Sequence, residues 1–177
     1  MIRFVAQTET AITGRTPFSI AAGDFDGDGR RDLATANFNS NNITVLRNTS
    51  VASGESSFDA GIEIALPADS QPRWIAVRDF DGDGKDDIVT ANSNLNSVSV
   101  LRNTGTGEGA ISFAPPVNFT AGDNPYFVAT ADFDNDGKFD IAVVNRFSDS
   151  ISILKNNSPA TGQISFEAKI DFNVGSN

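Results

Sequence analysis

The residues best placed to do chemistry are aspartates. Asp24, Asp26, Asp28 and Asp32 occupy positions one, three, five and nine of the stretch DFDGDGRRD. The same positions hold Asp79, Asp81, Asp83 and Asp87 in DFDGDGKDD, and Asp132, Asp134, Asp136 and Asp140 in DFDNDGKFD. In a tightly curled loop alternate residues point inward, so the carboxylates at positions one, three and five can converge on one point. Position seven is Arg30, Lys85 or Lys138. Its expected contribution is the backbone carbonyl, which leaves its side-chain type free. Position six is always glycine (Gly29, Gly84, Gly137), as a sharp turn with positive φ demands. Position four is Gly27, Gly82 or Asn135, residue types that also tolerate positive φ.

Charge decides what such loops hold. Two like charges 4 Å apart repel by roughly 4 kcal/mol at an effective dielectric near 20. Converging carboxylates therefore call for a cation. All-oxygen ligation selects a hard one, and calcium tolerates the irregular geometry of such a loop better than magnesium does. Three Ca²⁺ are expected, one per loop. The aspartates at positions one, three, five and nine are 12 of the 23 acidic residues, and three bound ions would move the net charge from −10 to about −4. An EF-hand loop opens with the same spacing but needs an acidic residue at position twelve and flanking helices. Position twelve is Thr35, Thr90 or Val143, and a strand pattern follows.

The rest of the composition excludes much. The 177 residues include no Cys and no His. That removes disulfides, thiolate or imidazole metal sites and His-dependent nucleophilic catalysis. The acidity disfavours nucleic acid, and no apolar run reaches the length of a membrane span. With the carboxylate clusters assigned to calcium, and with His, Cys and a nucleophile elbow missing, the chain reads as a non-enzyme.

The elements that position the loops follow from an internal repeat. Three 32-residue segments, Pro17 to Asn48, Pro72 to Asn103 and Pro125 to Asn156, align without insertion. Ten residues beyond each closing Asn comes Phe58, Phe113 or Phe166. Loop onsets are 55 and 53 residues apart (Asp24, Asp79, Asp132). Within each unit a strand from Phe18 or its counterpart leads into the loop, and Leu33 to Asn37 and its counterparts lead out. The runs ITVL, VSVL and ISIL alternate apolar and hydroxyl residues, as half-buried strands do. A fourth strand is expected to carry Phe58, Phe113 or Phe166. Four antiparallel strands at this period predict β-propeller blades with almost no helix. The expected organisation is an outer strand of a preceding blade within 1–16 (Ile2 to Ile12), then blades at 17–71, 72–124 and 125–177. Ala21, Ala76 and Ala129 suit crowded inner strands, and Phe25, Phe80 and Phe133 are expected between blades.

The pattern D-F-D-G-D-G-x-x-D-[LI], preceded by Pro and followed by A-N and V-L-R-N, resembles the FG-GAP/VCBS repeat of integrin α-like propellers and many secreted bacterial proteins. The resemblance implies calcium in the loop joining the first two strands of each blade. It also implies a closed propeller, commonly of seven blades. The Phe-Gly and Gly-Ala-Pro signatures are not visible, so an integrin-like partner is not carried over. Three blades cannot close a ring, so self-association or further blades from a longer parent chain are expected.

The function expected is a calcium-stabilised extracellular module for binding or adhesion, with a protein or glycan partner. All-aspartate sites fill where calcium is millimolar, outside the cell. Two alternatives are a lectin-like propeller and the non-catalytic propeller part of a larger secreted enzyme. Glycan-contact candidates lie in the turns between second and third strands: Phe38, Asn39, Asn94, Asn96, Phe147 and Asp149.

Overall fold

The computed structural model describes residues 14–51, 56–107 and 109–175. The expected outer strand over Ile2 to Ile12 lies outside the described residues. The remainder is all-β, with twelve strands and no helix among the described residues. Strands β1 (Pro17–Gly23), β2 (Asp32–Asn37), β3 (Asn42–Leu46) and β4 (Ile62–Ala65) form one antiparallel meander. Strands β5 (Pro72–Arg78), β6 (Asp87–Asn92), β7 (Ser97–Leu101) and β8 (Val117–Thr120) form the second. Strands β9 (Pro125–Ala131), β10 (Asp140–Asn145), β11 (Ser150–Leu154) and β12 (Ile170–Asn173) form the third.

The sheets stack as propeller blades do. β1 packs against β5, and β5 against β9, so the first strands share the inner edge. There the Ile75 N–H donates to Ser19 Oγ at 3.3 Å. Side chains alternate along each strand. Ala34, Ala36, Ile43 and Val45 therefore face one way and meet Ile75, Ile88 and Leu101 of the second sheet. Val89, Ala91, Val98 and Val100 leave the second sheet's other face and meet Val128, Ile141, Val143 and Leu154 of the third. The apolar core lies between sheets, so no sheet covers itself.

Three expectations need correction. First, Phe58, Phe113 and Phe166 do not lie in the fourth strands. They form isolated bridges to Asn48, Asn103 and Asn156, and β4, β8 and β12 begin four residues later. Ring packing explains the last two positions: Phe113 sits edge-on to Phe25 (5.5 Å between centroids) and Phe166 edge-on to Phe80 (5.9 Å). Second, Phe25 and Phe80 are 1% and 2% exposed, but Phe133 is 49% exposed. The first two are covered by the next blade's Phe113 and Phe166, and no described sheet covers the third. Third, the hydroxyls of the third strands are buried. Thr44, Ser99 and Ser152 accept from the amide groups of Asn37 (2.8 Å), Asn92 (2.6 Å) and Asn145 (2.8 Å). Buried hydroxyls need such partners, and the asparagine closing each second strand supplies them.

Candidate metal centres

Each aspartate loop joins the first and second strands of a sheet. The same hydrogen bonds curl it three times. The position-one carboxylate accepts from the position-six glycine N–H: Asp24 from Gly29, Asp79 from Gly84 and Asp132 from Gly137, each at 2.9 Å. The position-three carboxylate accepts from position five, at 3.1 to 3.2 Å. The position-five carboxylate accepts from position seven, at 2.8 to 3.0 Å. The backbone turns back sharply at position six, where φ is 82°, 83° and 86° for Gly29, Gly84 and Gly137. At position four φ is 74° for Gly27, 73° for Gly82 and 61° for Asn135, so the only non-glycine there holds the left-handed conformation its type permits.

Position nine clamps the loop shut. Asp32 accepts from the Phe25 N–H (2.9 Å) and from the Asn48 N–H (2.8 Å), one on each oxygen. Asp87 does so with Phe80 (2.9 Å) and Asn103 (2.7 Å), and Asp140 with Phe133 (3.0 Å) and Asn156 (2.8 Å). All three carboxylates are buried.

The folded loops bring together Asp24, Asp26 and Asp32; Asp79, Asp81 and Asp87; and Asp132, Asp134 and Asp136, each set offering oxygens within 4.8 Å of one another. Positions one and three converge in every loop. Position nine joins them in the first two loops, position five in the third. Asp28 is instead ion-paired with Arg30, and Asp83 lies 3.6 Å from Lys85. The cationic side chains at position seven thus fold back onto position five, a role that reading only their backbone carbonyls missed. Lys138 bonds the Ser158 carbonyl (2.9 Å) and leaves Asp136 to Lys155, which also pairs with Asp134.

These residues fit a hard cation on two grounds. Asp24 Oδ1 and Asp81 Oδ2 are buried without any hydrogen-bond partner among the described residues. A buried carboxylate oxygen with no donor is costly unless a cation meets it. Burial also pushes Asp87 up to about 7, with the neighbouring charges of Asp81 and Asp83 adding to the rise. Burial raises Asp32 and Asp81 in the same way. Asp134 differs: its hydrogen bond from Lys155 holds it below the usual carboxylate range.

At the opposite ends of the strands, the turn candidates divide. Asn96 (φ 50°) and Asp149 (φ 45°) hold the left-handed residue of their turns, as Asn41 (φ 52°) does in the first blade. Asn39 donates to Thr16 Oγ1 (2.7 Å) and Asn94 to the Asp69 carbonyl (3.0 Å). Phe147 is 68% exposed beside a groove lined by Asn94, Asn96, Asp123 and Asn124. Phe38 tilts against Phe18 (4.9 Å), and the Arg73 guanidinium lies 4.6 Å from its ring.

A model of the FG-GAP-like repeat matches residues 24–90 and 79–143, and a model of the FG-GAP repeat matches residues 124–166. The chain belongs to the FG-GAP repeat family. Among solved structures it is similar to one described as a streptogramin B lyase structure, with 15% identity and a TM-score of 0.41. That match covers 94% of this chain and 57% of the other. No match is found among the curated proteins.

Proposed function

We propose that the chain is a calcium-stabilised, extracellular propeller module that binds a partner and catalyses no reaction. The observation that carries this reading is the threefold aspartate set, with buried, donorless oxygens at Asp24 and Asp81. Each set can hold one ion through the aspartates it gathers, completed by the position-seven carbonyls of Arg30, Lys85 and Lys138. Calcium would supply the counter-charge that lets several ionised carboxylates share one loop. It would act on stability rather than on a substrate. An extracellular setting suits sites of this kind, which fill at millimolar calcium.

Calorimetric titration of the metal-free chain should give three calcium ions per chain, and fewer than two would overturn the reading. Excess chelator should lower the melting temperature, because an ion bound only by the folded state stabilises it by mass action. An unmoved transition would count against a stabilising role. A glycan-binding reading is favoured by one observation, the exposed Phe147 ring beside an amide-lined groove.

A further inference from the structure

We infer that Arg73 and Arg146, held among aromatic rings at the strand ends opposite the aspartate loops, form a binding site for a carboxylate ligand. This rests on the reading of the chain as a binding module and names the chemistry of its partner; it does not rest on calcium. Arg73 is the second residue of β5, and rings from the sheets on either side flank it. Its guanidinium carbon lies 5.0 Å from the Phe18 ring centroid, 4.6 Å from Phe38 and 5.1 Å from Tyr126. Arg146 continues the row, 6.0 Å from Tyr126 and 5.3 Å from Phe147. The row therefore crosses all three sheets.

Of the described basic residues without a carboxylate within 4.0 Å (Arg15, Arg73, Arg78, Arg102, Lys138 and Arg146), Arg73 and Arg146 are the two that lie against more than one ring. Acidic residues outnumber basic ones by 23 to 13. Arg30, Arg31, Arg47, Lys85, Lys155 and Lys169 all have carboxylate partners. Among the described residues neither Arg73 nor Arg146 has one within 4.0 Å, and Arg73 Nε is shielded from water without an acceptor. A guanidinium stacked on rings keeps its N–H donors in its own plane, where a planar carboxylate matches them two at a time. The rings also fix the fork beforehand, so less freedom is lost on binding. The acidic chain repels the two charges of a phosphate, crowded on one group, more than the single charge of each carboxylate group. The exposed faces of Tyr126 and Phe147 offer apolar surface to the carbon skeleton of the ligand.

The test follows the arginine Nε–H resonances of the full chain, in calcium, during titration with glutarate, glucuronate or methyl phosphate. Glutarate or glucuronate should shift the Arg73 and Arg146 signals saturably at concentrations of order 10 mM, the scale of a weak single contact. Response to glutarate alone assigns an acidic peptide, response to glucuronate alone an acidic glycan, and response to both a general carboxylate site. No shift with either carboxylate, or equal shifts with methyl phosphate, overturns the inference. Arg73→Lys and Arg146→Lys keep the charge but lose the planar fork, so each should weaken binding about tenfold. Phe147→Ala alters an exposed ring and should weaken it with the fold intact. Undiminished binding in all three variants also overturns the inference. Melting with and without chelator is read on the unaltered chain: no carboxylate binding with a retained calcium response sinks this inference alone, and carboxylate binding with no calcium response sinks only the calcium reading.

Discussion

At the ninth loop position one carboxylate bonds backbone N–H groups from two separate parts of the chain, so replacing it removes more than a potential ligand. Asp87→Asn puts an amide N–H₂ where one of two buried N–H donors needs an acceptor. It should cost about 1–3 kcal/mol of stability even in chelator, measurable by denaturant melting. Asp83→Ala removes a carboxylate that accepts a single backbone N–H, that of Lys85, and should cost less in chelator than Asp87→Asn, as should Asp28→Ala at the first loop. If Asp87→Asn and Asp83→Ala behave alike without metal, the clamp is not structural. The pH dependence follows from the same residue. Burial raises Asp87 from a carboxylate's usual 3.8 to about 7 in the folded, metal-free chain. A raised folded value means stability that is fully present below the unfolded value and lost as pH rises through the folded one. The metal-free chain should therefore melt at a higher temperature near pH 5 than near pH 7.5. Asp134, whose folded value is lowered, loses its contribution only as pH falls below the ordinary carboxylate range, outside that window. Calcium competes with the proton at Asp87, so the ion's stabilising effect should grow over the same interval. A metal-free melting temperature that rises from pH 5 to 7.5 contradicts the assignment.

At the scale of elements, one asparagine recurs among the polar contacts that join the apolar-packed blades. The Asn103 amide of the second blade donates to the Phe25 carbonyl of the first (2.9 Å) and to the Asp86 carbonyl (3.2 Å). Asn156 of the third repeats this on Phe80 of the second (2.8 Å) and on Phe139 (3.0 Å). Among the described residues the Asn48 amide donates only to the Arg31 carbonyl of its own blade (2.9 Å). Asn103→Ala and Asn156→Ala should each cost about 1–3 kcal/mol, because buried carbonyls lose their donors, and Asn48→Ala should cost less. Equal losses at all three would show that the contact between blades is not what matters. The repeat made this asparagine visible in the sequence without revealing its partner, which lies 76 to 78 residues away. The strands around the loops were legible because period-two alternation and in-register aspartates are local signals. The fourth strands were misplaced because Phe113 and Phe166 answer to rings in a neighbouring blade. The row through Arg73 was illegible for the same reason: Phe18, Arg73 and Tyr126 hold equivalent positions in three repeats, and only stacking brings them side by side.

At the scale of the whole molecule, the contact made twice inside the chain leaves two unmatched halves. The first and second sheets each press one apolar face, with Phe25 or Phe80, onto the next sheet. On the third sheet the equivalent face leaves Phe133 and Val144 exposed, with Phe172 at its outer strand. The first sheet's opposite face leaves Phe18 and Ile20 exposed where Ile75 of the second sheet is buried. The two open faces match the two sides of an interface the chain already builds, so a further blade, from another copy or from a longer parent chain, fits on either. A contact of this kind is head-to-tail, and it closes into a ring or continues according to the rotation per blade. The isolated chain should associate with rising concentration in light scattering. Phe133→Asp should reduce association with little change in melting temperature, because no described sheet packs over that ring and it is 49% exposed. Phe80→Ala should do the reverse, costing about 3–5 kcal/mol from the core between the second and third sheets. A stable monomer at high concentration would mean that three sheets tolerate open faces, and that an apolar blade face alone does not recruit its complement.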